Sequence, residues 1–280
     1  MAEEKLPPMH YYLRSKKKFP TVWCPGCGIG IVQGGIIRGV ERLNLSRDEV
    51  AIISGIGCTG RMPVYLDFNT MHTTHGRALA FATGLKLAKP KLKVIVVMGD
   101  GDAVAIVGNH FIHAARRNLD LTAIIVNNRT YGMTGGQQSP TTPIGDIATV
   151  APYGNIDQPF DICKLAECAG AAFVARTTAY HAVEIERFVA KGINKKGFAV
   201  VEVFSQCPVY YGRMNAMPNA VDMLQWYKEN TSAGDVPGKI KRGVLVDCEL
   251  AEYGDEYRKT IERARAKKSA EKVKTRGEAR

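Results

Sequence analysis

The sequence predicts an α/β protein with a mostly parallel sheet and helices on both faces. Short, β-branched, continuously apolar runs recur along the chain, as expected of strands buried on both sides. Segments of helical periodicity separate them, which is the pattern of strand–helix–strand units. Several runs also end abruptly in glycine and polar residues, and ligands of such sheets collect just past the carboxyl ends of the strands.

The elements follow in order. "VAIIS" (50–54) is the first predicted strand, and "GRALAFATGLKLA" (76–88) has helical spacing. "KVIVVMGD" (93–100) is the second strand, followed by a helix predicted over 102–118. "LTAIIVNN" (121–128), "AFVAR" (172–176) and "FAVVEVF" (198–204) complete the strands. Helices are expected at 160–170, within "FDICKLAECAG", and at 181–196. No internal repeat or low-complexity linker divides residues 20–230. The expected organisation is an N-terminal extension at 1–20, one domain at 21–230 and a C-terminal extension with a basic helical tail at 231–280.

A chain of 280 residues can bury a sizeable core. Its charged start has no apolar stretch long enough to span a bilayer, so no membrane role is expected and the chain is read as cytoplasmic. Seven cysteines, an odd number, suit a reducing compartment better than a disulfide framework. The net charge of +11 is concentrated at one end: residues 256–280 carry ten Lys/Arg against four Asp/Glu. Charged runs of this kind are usually solvated surface, and no nucleic-acid motif accompanies it. A docking surface for an acidic protein is the alternative.

Two features carry chemistry. In "GDGD" (99–102) a glycine on each side of Asp100 lets the backbone approach a ligand, and the next strand ends in "NN" (127–128). Carboxylate and amide oxygens are hard ligands for Mg2+ or Ca2+ bridging phosphates. The acidic turn alone is also compatible with a plain strand-to-helix connection. The second feature is "WCPGCG" (23–28), whose Cys24 and Cys27 fit half a metal site, a redox dithiol or two buried small residues.

The combination "GDGD" with "NN" resembles the metal–diphosphate motif of thiamine diphosphate enzymes. With "WCPGCG", "SGIGCTGR" (54–61), "HTTHGRALAFATGLKLA" (72–88), "GDGDAVAIVGNHFIHAARRN" (99–118) and "YGMTGGQQSPTT" (131–142), the chain resembles the β subunit of 2-oxoacid:ferredoxin oxidoreductases over residues 19–230. The stretch "APYGNIDQPFDICKLAECAGAAFVAR" (151–176) is most similar to the 2-oxoglutarate branch.

That resemblance implies the diphosphate-binding half of a thiamine diphosphate-binding fold. It implies Asp100, the Asn128 side-chain oxygen and the Thr130 carbonyl as Mg2+ ligands. Gly101, Asp102, Gly132 and Met133 are implied at the diphosphate, with Ile56, Gly57, Cys58 and Thr59 along the thiazolium. His75, rather than its neighbour His72, is implied to bond a phosphate or orient the ring. Cys24, Cys27, Cys58 and Cys207 are implied to bind one [4Fe-4S] cluster, with a structural zinc as the inorganic alternative.

The implied reaction is coenzyme A-dependent oxidative decarboxylation of 2-oxoglutarate to succinyl-CoA and CO2, with electrons leaving through the cluster to ferredoxin. No glutamate for the aminopyrimidine is identified here, so an α subunit is implied to supply it, in a dimer of heterodimers. Arg61 is a candidate for reading a distal substrate carboxylate, or else for a surface or interface ion pair. Alternatives are the same chemistry on pyruvate or a branched-chain 2-oxoacid, a non-catalytic iron–sulfur electron-transfer subunit, and a non-redox thiamine decarboxylase with zinc on the cysteines. His110 and His113 are read as packing residues rather than a metal pair. Cys163, Cys168 and Cys248 are read as small buried hydrophobes.

Overall fold

The computed structural model describes residues 8–16 and 20–277; the remaining parts of the expected N-terminal extension and the last three residues of the basic tail lie outside it. A short helix α1 (Pro8–Tyr11) precedes α2 (Ile29–Arg42) and β1 (Val50–Ser54). Then come β2 (Asn69–His72), α3 (Ala78–Ala88), β3 (Lys93–Gly99), α4 (Asp100–Val104), α5 (Gly108–Arg116) and β4 (Thr122–Asn127). The pair β5 (Thr130–Tyr131) and β6 (Gln137–Gln138) opens a long loop to α6 (Ile162–Cys168). β7 (Phe173–Thr178), α7 (Ala182–Asn194) and β8 (Ala199–Phe204) follow, then a π turn at Pro208–Gly212. α8 (Ala220–Asn230), β9 (Thr231–Ser232), β10 (Ile240–Lys241), β11 (Gly243–Asp247) and α9 (Tyr253–Gly277) complete the described chain.

The main sheet has seven strands in the order β11-β7-β8-β4-β3-β1-β2. Every neighbouring pair is parallel except β11 against β7. Successive side chains of a strand point to opposite faces, so each strand feeds two cores. Val94, Val96 and Met98 of β3 pack on one face with helices α3, α5 and α6, whereas Ile95 and Val97 face the opposite core with α2 and α7. Burial of each such Val or Ile contributes about 1.5–3 kcal/mol.

All five predicted strands form, and the structure adds to and corrects the sequence reading. α2 packs along α7 at close range: a Cβ on Gly35 would lie 2.5 Å from Ile185, and one on Gly39 would lie 2.7 Å from Val189. The same glycines lower helix propensity, so this helix is held by packing that a local pattern does not display. The helix predicted over 102–118 is two helices. It breaks at residues 105–107, where a β-branched pair precedes Gly108 and Val107 drops against Gly76.

The expected boundary at residue 230 is also corrected. β11 joins the main sheet as its edge strand, and the Asn118 amide donates to the carbonyls of Leu250 and Ala251. The domain therefore runs at least to the buried Glu252, whose carboxylate caps the backbone of Gly254 and Asp255. At the other end Tyr12 is buried in the core and Arg14 donates to the Leu66 carbonyl. Residues 8–16 are thus part of the same body. No helix among the described residues is long and apolar enough to cross a membrane.

Candidate active site

Strands β1, β3, β4 and β8 are neighbours in the sheet, and their carboxyl ends carry the Cys58 loop, the Asp100 turn, Asn127–Asn128 and Cys207, while His75 follows β2 and the Cys24–Cys27 turn comes from the segment before α2. A cleft opens there, lined by residues 56–59, His75, residues 99–102, Asn128 and residues 130–134. The position is the one parallel sheets favour for ligands. All nine residues expected at the cofactor, and all three expected at the cation, lie in its wall.

The cation triad has a specific geometry. Asp100 starts α4 directly beyond β3 and is buried. The Asn128 side-chain oxygen faces only acceptors, with Asp100 Oδ1 at 3.2 Å and the Thr130 carbonyl oxygen at 2.7 Å. Turning the amide over would let its nitrogen donate to both. The Asp100 carboxylate, the Asn128 amide and the Thr130 carbonyl thus converge beyond β3 and β4, and rotation of the Asn128 side chain selects between an amide that bonds its two neighbours and three oxygens presented to a hard divalent cation.

The other carboxylate oxygen is occupied. Ser139 Oγ and Thr141 Oγ1 both donate to Asp100 Oδ2, at 2.6 and 2.5 Å. Thr141 also lies 3.0 Å from Asn127 Oδ1, and Asn127 Nδ2 donates at 2.9 Å to Glu202 Oε1. Glu202 in turn accepts from Arg176 Nε at 2.7 Å, and Arg176 also pairs with Asp161. A buried polar chain therefore runs from Asp100 to an ion pair inside the sheet. Burial pushes the Asp100 carboxyl up, and the two hydroxyl donors and nearby backbone oppose that shift. Arg176 is pushed up despite burial by its two carboxylate partners.

Asp102 serves the opposite wall. Its Oδ1 accepts from the Gly76 amide at 2.6 Å and the Ile56 amide at 3.4 Å, and lies 3.0 Å from His75 Nδ1. Its side chain thus joins the loop after β1 to the segment before α3, and its backbone lies in the first turn of α4. Its Oδ2 is buried without a partner among the described residues. Burial pushes the Asp102 carboxyl up, and hydrogen bonds and the nearby histidines oppose this. Of the two candidate histidines, His75 reaches the cleft, while His72 Nδ1 is engaged with Ser54 Oγ.

The four expected cluster ligands gather at one end of the cleft. A Cβ placed on Gly132 would lie 3.5 Å from Cys207 Sγ and 3.6 Å from Cys58 Sγ, so these sulfurs are within about 7 Å of each other. The Cys24–Cys27 turn is closed by a 3.0 Å bond between its own backbone groups. It is tied to the other two cysteine loops by Trp23 Nε1 on the Cys58 carbonyl, at 2.8 Å, and by the Gly28 amide on the Gln206 carbonyl, at 3.2 Å. Burial, with smaller contributions from neighbouring cysteines, pushes Cys27 up to about 12 and Cys58 up to about 11.

No three of these sulfurs lie mutually within 4.8 Å among the described residues. Tetrahedral zinc, with Zn–S of about 2.3 Å, would draw them to about 3.8 Å.

The remaining expectations divide. Arg61 sits half-buried on the 3-10 turn Thr59–Val64, outside the cleft wall, and has no ion-pair partner among the described residues. On α5 His110 is half-buried, whereas His113 is exposed and accepts from Arg116 Nε at 3.4 Å, which corrects the reading of His113 as a packing residue. The group that does meet metal spacing, Asp161, Cys163 and Glu202, is filled by the Arg176 guanidinium. Of the three spare cysteines only Cys163 is buried; Cys168 and Cys248 are exposed, which corrects the reading of all three as buried hydrophobes. Ser139, Thr141, Tyr131 and Thr134 were not identified from sequence. The hydroxyl-rich "SPTT" directly beyond the glycine loop was the available signal.

Known proteins share this arrangement. Residues 55–203 match the family described as thiamine pyrophosphate enzyme, C-terminal TPP binding domain. The 2-oxoglutarate synthase subunit KorB of Archaeoglobus fulgidus is 57% identical over 219 residues, 78% of this chain and 79% of that protein. The KorB subunit of Methanocaldococcus jannaschii is 48% identical over 264 residues, 91% of this chain and 97% of that protein. A solved structure of 2-oxoglutarate:ferredoxin oxidoreductase from Magnetococcus marinus, with 2-oxoglutarate, coenzyme A and succinyl-CoA bound, superposes with a TM-score of 0.83 at 33% identity. It covers 93% of this chain and 91% of its own. By its identity to these subunits over most of its length and its match to the thiamine pyrophosphate-binding domain, the chain belongs to the KorB family of 2-oxoglutarate synthase subunits.

Proposed function

We propose that this chain is the β subunit of a 2-oxoglutarate:ferredoxin oxidoreductase, forming succinyl-CoA and CO2 and passing the electrons through a [4Fe-4S] cluster to ferredoxin. The observation that carries the reading is the convergence of the Asp100 carboxylate, the Asn128 amide and the Thr130 carbonyl in a cleft whose wall includes Cys58, with Cys207 beside it at Gly132. Substrate identity follows from the relatives, which are named for 2-oxoglutarate at 48 and 57% identity.

Thiamine diphosphate supplies the electron sink for decarboxylating a 2-oxoacid, and an iron–sulfur cluster accepts electrons one at a time. The chain's own residues supply the setting. Asp100, Asn128 and the Thr130 carbonyl hold Mg2+, while Gly101, the Asp102 backbone, Gly132 and Met133 border the diphosphate. Ile56, Gly57, Cys58 and Thr59 form the wall between ring and cluster, and His75, oriented by Asp102, donates toward the cofactor. Cys24, Cys27, Cys58 and Cys207 hold the cluster. Cys58 belongs to both sites, which keeps the electron path short. Exposed apolar side chains, Met133 in the cleft wall and Ile106 beside Gly76, suit cover by an α subunit that brings the pyrimidine-binding half and its glutamate. Free thiols fit a cytoplasmic setting, and Arg61 is kept as the candidate for the distal carboxylate.

The test is an anaerobic assay of the complex with its α partner, following coenzyme A-dependent ferredoxin reduction and acyl-CoA product. Succinyl-CoA from 2-oxoglutarate, with little turnover of pyruvate, is expected. Preferential turnover of pyruvate or a branched-chain acid would overturn the substrate, and thioester formation without ferredoxin reduction would overturn the electron path.

A further inference from the structure

We propose that Ser139 and Thr141 are positioning residues that set the cation selectivity of the site, favouring Mg2+ over Ca2+ by holding Asp100 to a single coordinating oxygen. The inference rests on the reading of Asp100, Asn128 and Thr130 as cation ligands.

The division of labour at Asp100 is explicit. Oδ1 faces the Asn128 oxygen at 3.2 Å, while Oδ2 accepts from Ser139 Oγ at 2.6 Å and Thr141 Oγ1 at 2.5 Å. Both hydroxyls are buried, so neither has water as a ready alternative. Each is also fixed from behind. Ser139 Oγ accepts from the Thr141 amide at 3.4 Å, and the Ser139 amide donates at 2.9 Å to Thr142 Oγ1, which donates at 2.7 Å to the Arg129 carbonyl. Thr141 backs onto Asn127, whose amide orientation is set because its Oδ1 accepts from the Arg129 amide and its Nδ2 donates to Glu202. Thr141 has one proton to give and two acceptors in reach. The charged carboxylate makes the shorter contact, as a charge-assisted bond should.

The consequence for a cation follows from coordination chemistry. Ca2+ takes six to eight oxygens at about 2.3–2.6 Å and readily binds a carboxylate through both oxygens. Mg2+ demands octahedral geometry at about 2.0–2.1 Å and suits a single oxygen from each carboxylate. With Oδ2 committed to two hydroxyls, Asp100 cannot swing into a two-oxygen mode without abandoning both donors. Selectivity is thus built behind the ligands, where orienting partners commonly govern affinity by about 10- to 100-fold.

The experiment titrates Mg2+ and Ca2+ separately, with thiamine diphosphate present, into the metal-stripped complex with its α partner, by calorimetry. It compares the unaltered protein with Ser139→Ala, Thr141→Val and Thr141→Ser. Removing either hydroxyl is expected to weaken Mg2+ by about tenfold or more while weakening Ca2+ less, so the Mg2+/Ca2+ ratio falls. Thr141→Ser, which keeps the hydroxyl, restores the ratio and controls for packing. Equal weakening of both ions, or no change in the ratio, would overturn the proposal and leave the ligand assignment intact. Failure of the unaltered complex to bind either ion would overturn the ligand assignment and the proposal with it.

Discussion

The cleft has an oxygen end and a sulfur end, and they are built differently. At the oxygen end Asp100, Asn127 and Thr141 are buried and linked through Glu202 to Arg176, so the fold's own hydrogen bonds fix the groups before any ligand arrives. At the sulfur end the four thiols sit on three loops, range from buried to exposed, and are joined by only a few backbone-directed bonds. One end is preorganised by the sheet; the other is completed by what it binds. A rigid cation site can position a cofactor, whereas a loop-built cluster site couples its assembly to the metal.

The largest expected effect separates the two ends. Cys58→Ala should abolish bound iron and the visible iron–sulfur absorbance, while cation and thiamine diphosphate binding to the complex survives within about tenfold, since the oxygen ligands keep their supports. Loss of both together would erase the distinction. Next is Glu202→Leu, which strands Arg176 in the sheet. Breaking a buried ion pair from one side costs about 3–5 kcal/mol, read as a lowered urea midpoint, and an unchanged midpoint would mean that the oxygen end is not fixed by this chain.

Asp100→Asn is expected to weaken cofactor binding by about 100-fold without lowering the melting temperature, because a buried carboxylate held above its usual range is a stability cost. A destabilised variant would make Asp100 a structural residue. The smallest effect belongs to Cys168→Ser and Cys248→Ser, at exposed thiols outside the cleft, where iron content should not change. Loss of iron in either would redraw the quartet.

How much of this was legible depends on range. β1, β3, β4, β7 and β8 announce themselves because strands buried on both faces are continuously apolar, and Asp100 and Asn128 because they end such strands. α2 was hidden by its glycines, whose value is close approach to α7 and appears only on packing. β2 and β11 were missed for another reason: edge strands with exposed residues lack the apolar run. Glu202 sits inside "FAVVEVF" without disturbing the strand signal, and nothing local ties it to Asn127 or Arg176. The cysteine quartet came from resemblance to a family, since residues 24, 27, 58 and 207 share no spacing that would join them.

The central claim is that one cleft couples thiamine chemistry to an iron–sulfur cluster, and an anaerobic visible spectrum of the complex with its α partner tests it most directly. The account predicts a brown protein whose absorbance bleaches when 2-oxoglutarate and coenzyme A are added without an external acceptor. A colourless protein, or a brown one that no 2-oxoacid bleaches, would contradict it.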